Sequence, residues 1–260
     1  MKLLVALVVL LPGVAWGQAP FDGTWVTKID SIKTTGKPST YLVSDGMFSC
    51  DSCAPALKIK ADGSNQKVSG HAYFDTASAR VLDAQRVEFI THAAGKMVDK
   101  QTYTVAADGK TMVVDFVDYT GIKPASGSVK HDRVAPAPAG AHGLSGSWQL
   151  TALGSNFSAD LLTVTYTETP GGLKMSSPTG QSYDAKFDGK EYLTAGDPGK
   201  TMVSLKRIDA RTIEETDSRQ DKVTDVVRST VSTDGKSMHV VDEDKAHGST
   251  TKFTMEKKSS

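Results

Sequence analysis

Val105-Ala106-Ala107-Asp108-Gly109-Lys110-Thr111-Met112 returns as Val231-Ser232-Thr233-Asp234-Gly235-Lys236-Ser237-Met238, a shift from 105 to 231, or 126 residues. Asp83-Ala84-Gln85-Arg86-Val87-Glu88 returns as Asp209-Ala210-Arg211-Thr212-Ile213-Glu214 at the same spacing, and Asp62-Gly63 as Asp188-Gly189. Further out, Gly23-Thr24-Trp25 returns as Gly146-Ser147-Trp148. Solenoid units run to roughly 20–50 residues. A period this long is a duplicated domain, and the matches span most of each half.

Both halves read as strands. Leu162, Val164 and Tyr166 alternate with Leu161, Thr163 and Thr165, the period of two expected of a strand with one wet face. Val223 to Val231 and Thr102 to Val105 are rich in Val and Thr. Asp45-Gly46, Asp62-Gly63, Asp108-Gly109, Asp188-Gly189 and Asp234-Gly235 punctuate the runs, and Asp and Gly tolerate the positive φ of tight hairpins. No stretch of ten residues has helical periodicity; one helical turn fits near Ser155 to Asp160. The expected fold is all-β, two tandem antiparallel up-and-down barrels of 8–10 short strands each. The expected bounds are 18–134 and 145–260, joined by a Pro/Ala linker over 135–144 that allows limited freedom.

The amino terminus reads as a secretory signal over 1–17. Lys2 precedes the apolar run Leu3 to Leu11, and Ala15-Trp16-Gly17 has the small-x-small pattern of a cleavage site. The run is too short for the roughly 20 residues of a membrane span. The expected location is therefore periplasmic or extracellular, with no membrane insertion after cleavage. Lys+Arg and Asp+Glu are 30 each, so losing Lys2 leaves a net charge of −1. That balance argues against a nucleic-acid partner, which needs a basic surface.

The two cysteines form one motif, Cys50-Asp51-Ser52-Cys53. In an exported chain the first reading is a local disulfide; redox or metal chemistry and free thiols are the other readings. Haem attachment would need His where Ala54 stands, and a structural zinc site would need a second ligand pair.

A Gly-x-Trp on the first strand of a meandering antiparallel barrel is the shared signature of the lipocalin, fatty-acid-binding and avidin group. Gly23-Thr24-Trp25 and Gly146-Ser147-Trp148 resemble it, twice, and the chain resembles exported bacterial lipocalin-like domains. The resemblance implies a Trp packed across the closed end of each barrel and a habit of binding small apolar molecules. It implies no enzyme. Ser145 to Trp148 with Leu153 to Asn156 is similar to an avidin opening, but no tryptophan follows Trp148 to wall a biotin pocket.

Catalytic signals are lacking. There is no Gly-x-Ser-x-Gly elbow, and the adjacent Glu214 and Glu215 would face opposite sides of a strand. His239, Asp242, Glu243, Asp244 and His247 could surround a cation, but a solvated hairpin crest explains them as well. We therefore expect no enzyme, no cofactor and no metal set. The leading expectation is binding of a small, largely apolar ligand, with Trp25, Tyr73, Trp148, Tyr166 and Tyr183 as candidate contacts. The alternative is a structural or interaction module of the cell envelope with packed barrels; no sequence feature names a protein partner.

Overall fold

The computed structural model describes residues 19–154 and 156–259. The signal-peptide reading over 1–17 lies outside the described residues. The chain is all-β, with two nearly closed antiparallel barrels and two short 3-10 turns, Ile29–Ser31 and Ala159–Leu162. The second turn overlaps the expected one.

Around the first barrel the paired strands run Leu57–Lys60, Met47–Cys50, Ser39–Ser44, Gly146–Leu153, Ala125–Ala135, Thr111–Asp118, Lys96–Val105, Arg86–Ala93, Thr76–Val81 and Gln66–Lys67. A bridge between Asp62 and Arg80 draws its two edges together. Around the second they run Ser182–Lys186, Gly172–Ser176, Thr163–Thr169, Gly23–Thr27, Ser249–Lys257, Ser237–Asp244, Lys222–Val231, Thr212–Arg219, Met202–Arg207 and Tyr192–Leu193. Ser182 and Ala195 bridge its edges with a reciprocal pair of backbone hydrogen bonds.

The opening strands are therefore exchanged. Gly23–Thr27, from the first copy, pairs with Thr163–Thr169 and Ser249–Lys257 of the second. Gly146–Leu153, from the second copy, pairs with Ala125–Ala135 and Ser39–Ser44 of the first. The bounds expected from sequence, 18–134 and 145–260, divide the repeats but not the hydrogen-bonded sheets. The segment 135–144 is no spacer: it turns the chain between two neighbouring strands of one barrel. It is also pinned there, since His142 N donates to Val43 O and Gly143 N to Ala84 O. The barrels are instead connected by the crossings near 28–38 and 154–162, and the first of these lays Lys33–Thr35 along Ser249–Lys257.

Exchange costs the chain little. Exchange leaves Gly146–Leu153 beside Ala125–Ala135, close in sequence, but seats Gly23–Thr27 between two strands that are each more than a hundred positions away. Loop-closure entropy grows only slowly with loop length, so this extra cost is modest. The two heads are also alike. Gly23 and Gly146 both have φ of +120°, a conformation that glycine adopts at no steric cost. At Gly146 a Cβ would lie 2.6 Å from Ala135 O.

Each tryptophan is fully buried, in the barrel its strand has joined. Trp25 packs with Leu173, Leu205, Ile213 and Met238, and Trp148 with Phe48, Val87, Met112 and Leu144. The expectation that each tryptophan caps its own copy is corrected here. The surroundings nevertheless match. Trp25 Nε1 donates to Phe21 O and Trp148 Nε1 to Leu144 O, both at 2.8 Å. Lys257 Nζ lies 4.8 Å from the Trp25 ring centroid, and the Arg133 guanidinium carbon 4.0 Å from that of Trp148. Arg133 also donates to Gly109 O, Gly143 O and Ser145 O, tying the hairpin to the strand end.

Cys50 and Cys53 form a disulfide where the strand Met47–Cys50 ends. Inside this loop, Ser52 Oγ accepts from Thr40 N. The corresponding turn of the second barrel has no cysteine.

Candidate functional site: the cavity of the first barrel

The first barrel lines an open-mouthed cavity of about 600 Å³. Strand alternation aims one face of each strand inward: Phe89 and Thr91 from one strand, Asp99, Gln101 and Tyr103 from the next, Val114, Phe116 and Asp118 from the third, Val129 and His131 from the fourth. A register shift between Thr91 and His92 inserts one extra residue opposite them, so that Val98 and Asp99 both line the cavity. Such a bulge re-aims side chains locally. Tyr41 and Phe74 complete an aromatic wall, with the Tyr41 and Tyr103 ring centroids 5.3 Å apart and edge-on.

The polar groups are few and linked. Tyr103 Oη donates to Gln101 Oε1 at 2.6 Å, and Gln101 Nε2 donates to Asp99 Oδ2 at 2.9 Å. Burial, helped by the nearby Asp118 carboxylate, pushes Asp99 up to about 6, while the Gln101 hydrogen bond opposes the shift. Burial also raises the Tyr41 and Tyr103 hydroxyls and lowers His131, which therefore favours its neutral form. At the mouth Thr120 donates to Asp118 through both its backbone N and its hydroxyl.

The second barrel's loops close on this mouth. Gln181 joins the cavity lining, and Ile122 N donates to Thr179 O. Tyr73 leans the other way. Its ring lies beneath the Arg219 guanidinium at 5.0 Å and against Gly199.

The same positions in the second barrel have different chemistry. At the 126-residue shift Phe89 becomes Glu215, Thr91 becomes Asp217 and Phe116 becomes Asp242, while Asp99 is matched by Asp225. Cross-strand register verifies the match: Thr91 pairs with Asp99 as Asp217 pairs with Asp225. Tyr183 Oη donates to Glu215 Oε2 at 2.6 Å. Burial raises Glu215 and Asp217 above the usual carboxylate range, Asp217 also by repulsion from Glu215 and Asp225. Asp242 is pushed up to about 6 by burial and then by Asp225 and Asp244, and its Oδ1 is buried without a partner.

Of the five candidate contacts, Tyr73 lines the cavity. Trp25 and Trp148 are sealed among core residues, and Tyr166 and Tyr183 belong to the second barrel. Asp99, Gln101 and Asp118 were not singled out from sequence. The alternation Asp99, Gln101, Tyr103, Val105 was a usable signal, but the bulge at Val98 interrupts it. His247 Nδ1 faces Asp244 Oδ2 at 2.7 Å on the surface, as a solvated crest would have it. Among the described residues no group of three or more His, Cys, Asp or Glu side chains could hold a metal ion, and no helix is long and apolar enough to cross a membrane.

No family model matches the chain, and a search of curated proteins finds no match.

Proposed function

We propose that the protein is an exported, lipocalin-like, non-enzymatic carrier whose first barrel binds a small, largely apolar molecule. The observation that carries this reading is the cavity of about 600 Å³ behind an aromatic wall. Small-molecule sites commonly have 300–1,000 Å³, apolar walls and a few convergent polar groups. The signal-like amino terminus and the Cys50–Cys53 disulfide support export. The alternative, a packed module of the envelope, is favoured for the second barrel, where Tyr183 and Glu215 bond to each other across the interior.

Titration of the signal-free protein with the neutral probe N-phenyl-1-naphthylamine tests the reading. One saturable site is expected, lost when Val114→Trp fills the cavity and kept when Val240→Trp alters the corresponding position of the second barrel. Binding that survives Val114→Trp, with the fold intact by circular dichroism, would refute it.

A further inference from the structure

We infer that the first-barrel cavity selects a small monocationic amine with an apolar, preferably aromatic, body, and that its ammonium group sits against Asp99 and Asp118. The inference rests on the proposed cavity reading and narrows its ligand.

The argument starts from the sign of the lining. Asp99 and Asp118 are directly opposite each other on adjacent strands, and both face the cavity. Like charges directly opposite are destabilising in a sheet, so this pair is costly until a cation joins it. None of the lining side chains is Lys or Arg. Neither carboxylate belongs to any ion pair among the described residues, whereas Glu88, on the outer face of a neighbouring strand, is held by both Arg80 and Lys100. The protein neutralises a carboxylate with its own cations outside the barrel and leaves this pair to be neutralised from within.

The remaining groups fit the same ligand. Gln101 spends an N–H on Asp99 Oδ2, which leaves Oδ1 able to accept. Thr120 occupies Asp118 Oδ1 and leaves Oδ2. A primary ammonium has three donors and can meet both free oxygens. The rings of Tyr41, Phe74, Phe89 and Phe116 offer faces that attract cations and pack apolar bodies. A carboxylate ligand such as a fatty acid would meet two like charges and no lysine or arginine, and burial holds His131 toward its neutral form. The cavity, its aromatic wall and a described lining free of Lys and Arg together define the site. The second barrel repeats the opposed pair as Asp225 and Asp244 but has Glu215 and Asp242 where the wall should be, and does not share the site.

The test uses three probes of one shape, 4-phenylbutylamine, 4-phenylbutan-1-ol and 4-phenylbutanoate, titrated calorimetrically into the signal-free protein at pH 7.5. The amine should bind about tenfold or more tighter than the alcohol, as expected for a charge-assisted hydrogen bond in a partly buried site, and the carboxylate weakest. Asp99→Asn should abolish the preference while leaving the alcohol's Kd within about threefold; Asp118→Asn should reduce it by a smaller factor. If Asp99→Asn fails to fold, Asp118→Asn and the three-probe ranking on the unaltered protein still decide. Equal binding of amine and alcohol, or a tighter carboxylate, overturns the amine assignment and leaves the cavity reading standing. If none of the three binds but N-phenyl-1-naphthylamine does, the assignment again falls alone. If that neutral probe also fails to bind, both fall.

Discussion

The two barrels share a scaffold and differ inside. Each has a fully buried tryptophan under a basic side chain, and each bulges at the same place in the same strand pair. Yet Phe89 and Phe116 of the first correspond to Glu215 and Asp242 of the second at the 126-residue shift. An aromatic at these positions leaves a walled cavity, whereas a carboxylate must find protons or partners, as Glu215 does in Tyr183. The lesson is that strand and turn residues specify the barrel, while a handful of inward positions are free to turn it into a receptor or a support.

The largest effects should come from the exchanged strands, because they decide which residues belong to which barrel. Deleting residues 18–38 should unfold the second barrel, at the far end of the sequence, and leave the first protected in hydrogen exchange. If protection is lost in the first barrel instead, the copies are not exchanged. Trp25→Ala should likewise cost the second barrel about 3–5 kcal/mol, and Trp148→Ala the first, since each removes a fully buried ring. Two calorimetric transitions, one moving per variant, would show it. A fragment spanning 36–155 should melt cooperatively, and more sharply than one spanning 18–134, which lacks the strand Gly146–Leu153.

A smaller effect separates the barrels through the disulfide. Cys50→Ser with Cys53→Ser should lower the first barrel's stability by about 2 kcal/mol, the chain-entropy value for so short a loop, and leave the second transition where it was. Equal movement of both transitions would mean that the barrels melt as one unit.

The smallest effect is pH. Glu215, Asp217 and Asp242 titrate higher in the folded second barrel than the usual carboxylate near pH 4. Between those values the folded state holds protons that the unfolded chain has released, so stability falls as pH rises. The second barrel should melt roughly 3–6 °C lower at pH 8 than at pH 5, the shift expected for about 1 kcal/mol in a domain of this size. The first barrel, in which Asp99 alone among the described carboxylates is raised, should move less. Glu215→Gln should reduce the difference, leaving the part carried by the burial of Asp217 and Asp242; a melt that rises with pH would overturn the account. The same rule fixes the sign for the cavity. With Asp118, His131, Tyr41 and Tyr103 around it, Asp99 should lose its charge as pH falls through about 6, and affinity for 4-phenylbutylamine should fall with it.

Much of this was legible in the residues. The returning Asp-Gly-Lys turns and the alternation of Leu162, Val164 and Tyr166 mark a duplicated antiparallel barrel, because backbone propensity and side-chain period are local properties. The paired cysteines and the two buried tryptophans were equally open to reading. The cavity was only partly so: Tyr73 was named, whereas Asp99, Gln101 and Asp118 converge through a bulge and a cross-strand register that no local pattern encodes. The exchange of opening strands was not legible at all. Gly23-Thr24-Trp25 and Gly146-Ser147-Trp148 share the glycine φ, an indole that donates to the carbonyl four residues upstream and a basic neighbour, Lys257 or Arg133, so the residues of the head do not say which barrel it completes. The amino-acid sequence by itself determined the repeat, the strands and the turns. Which copy each strand completes was decided only by tertiary structure, through pairings between residues more than a hundred positions apart, and which inward residues meet around the cavity by a bulge and the cross-strand register.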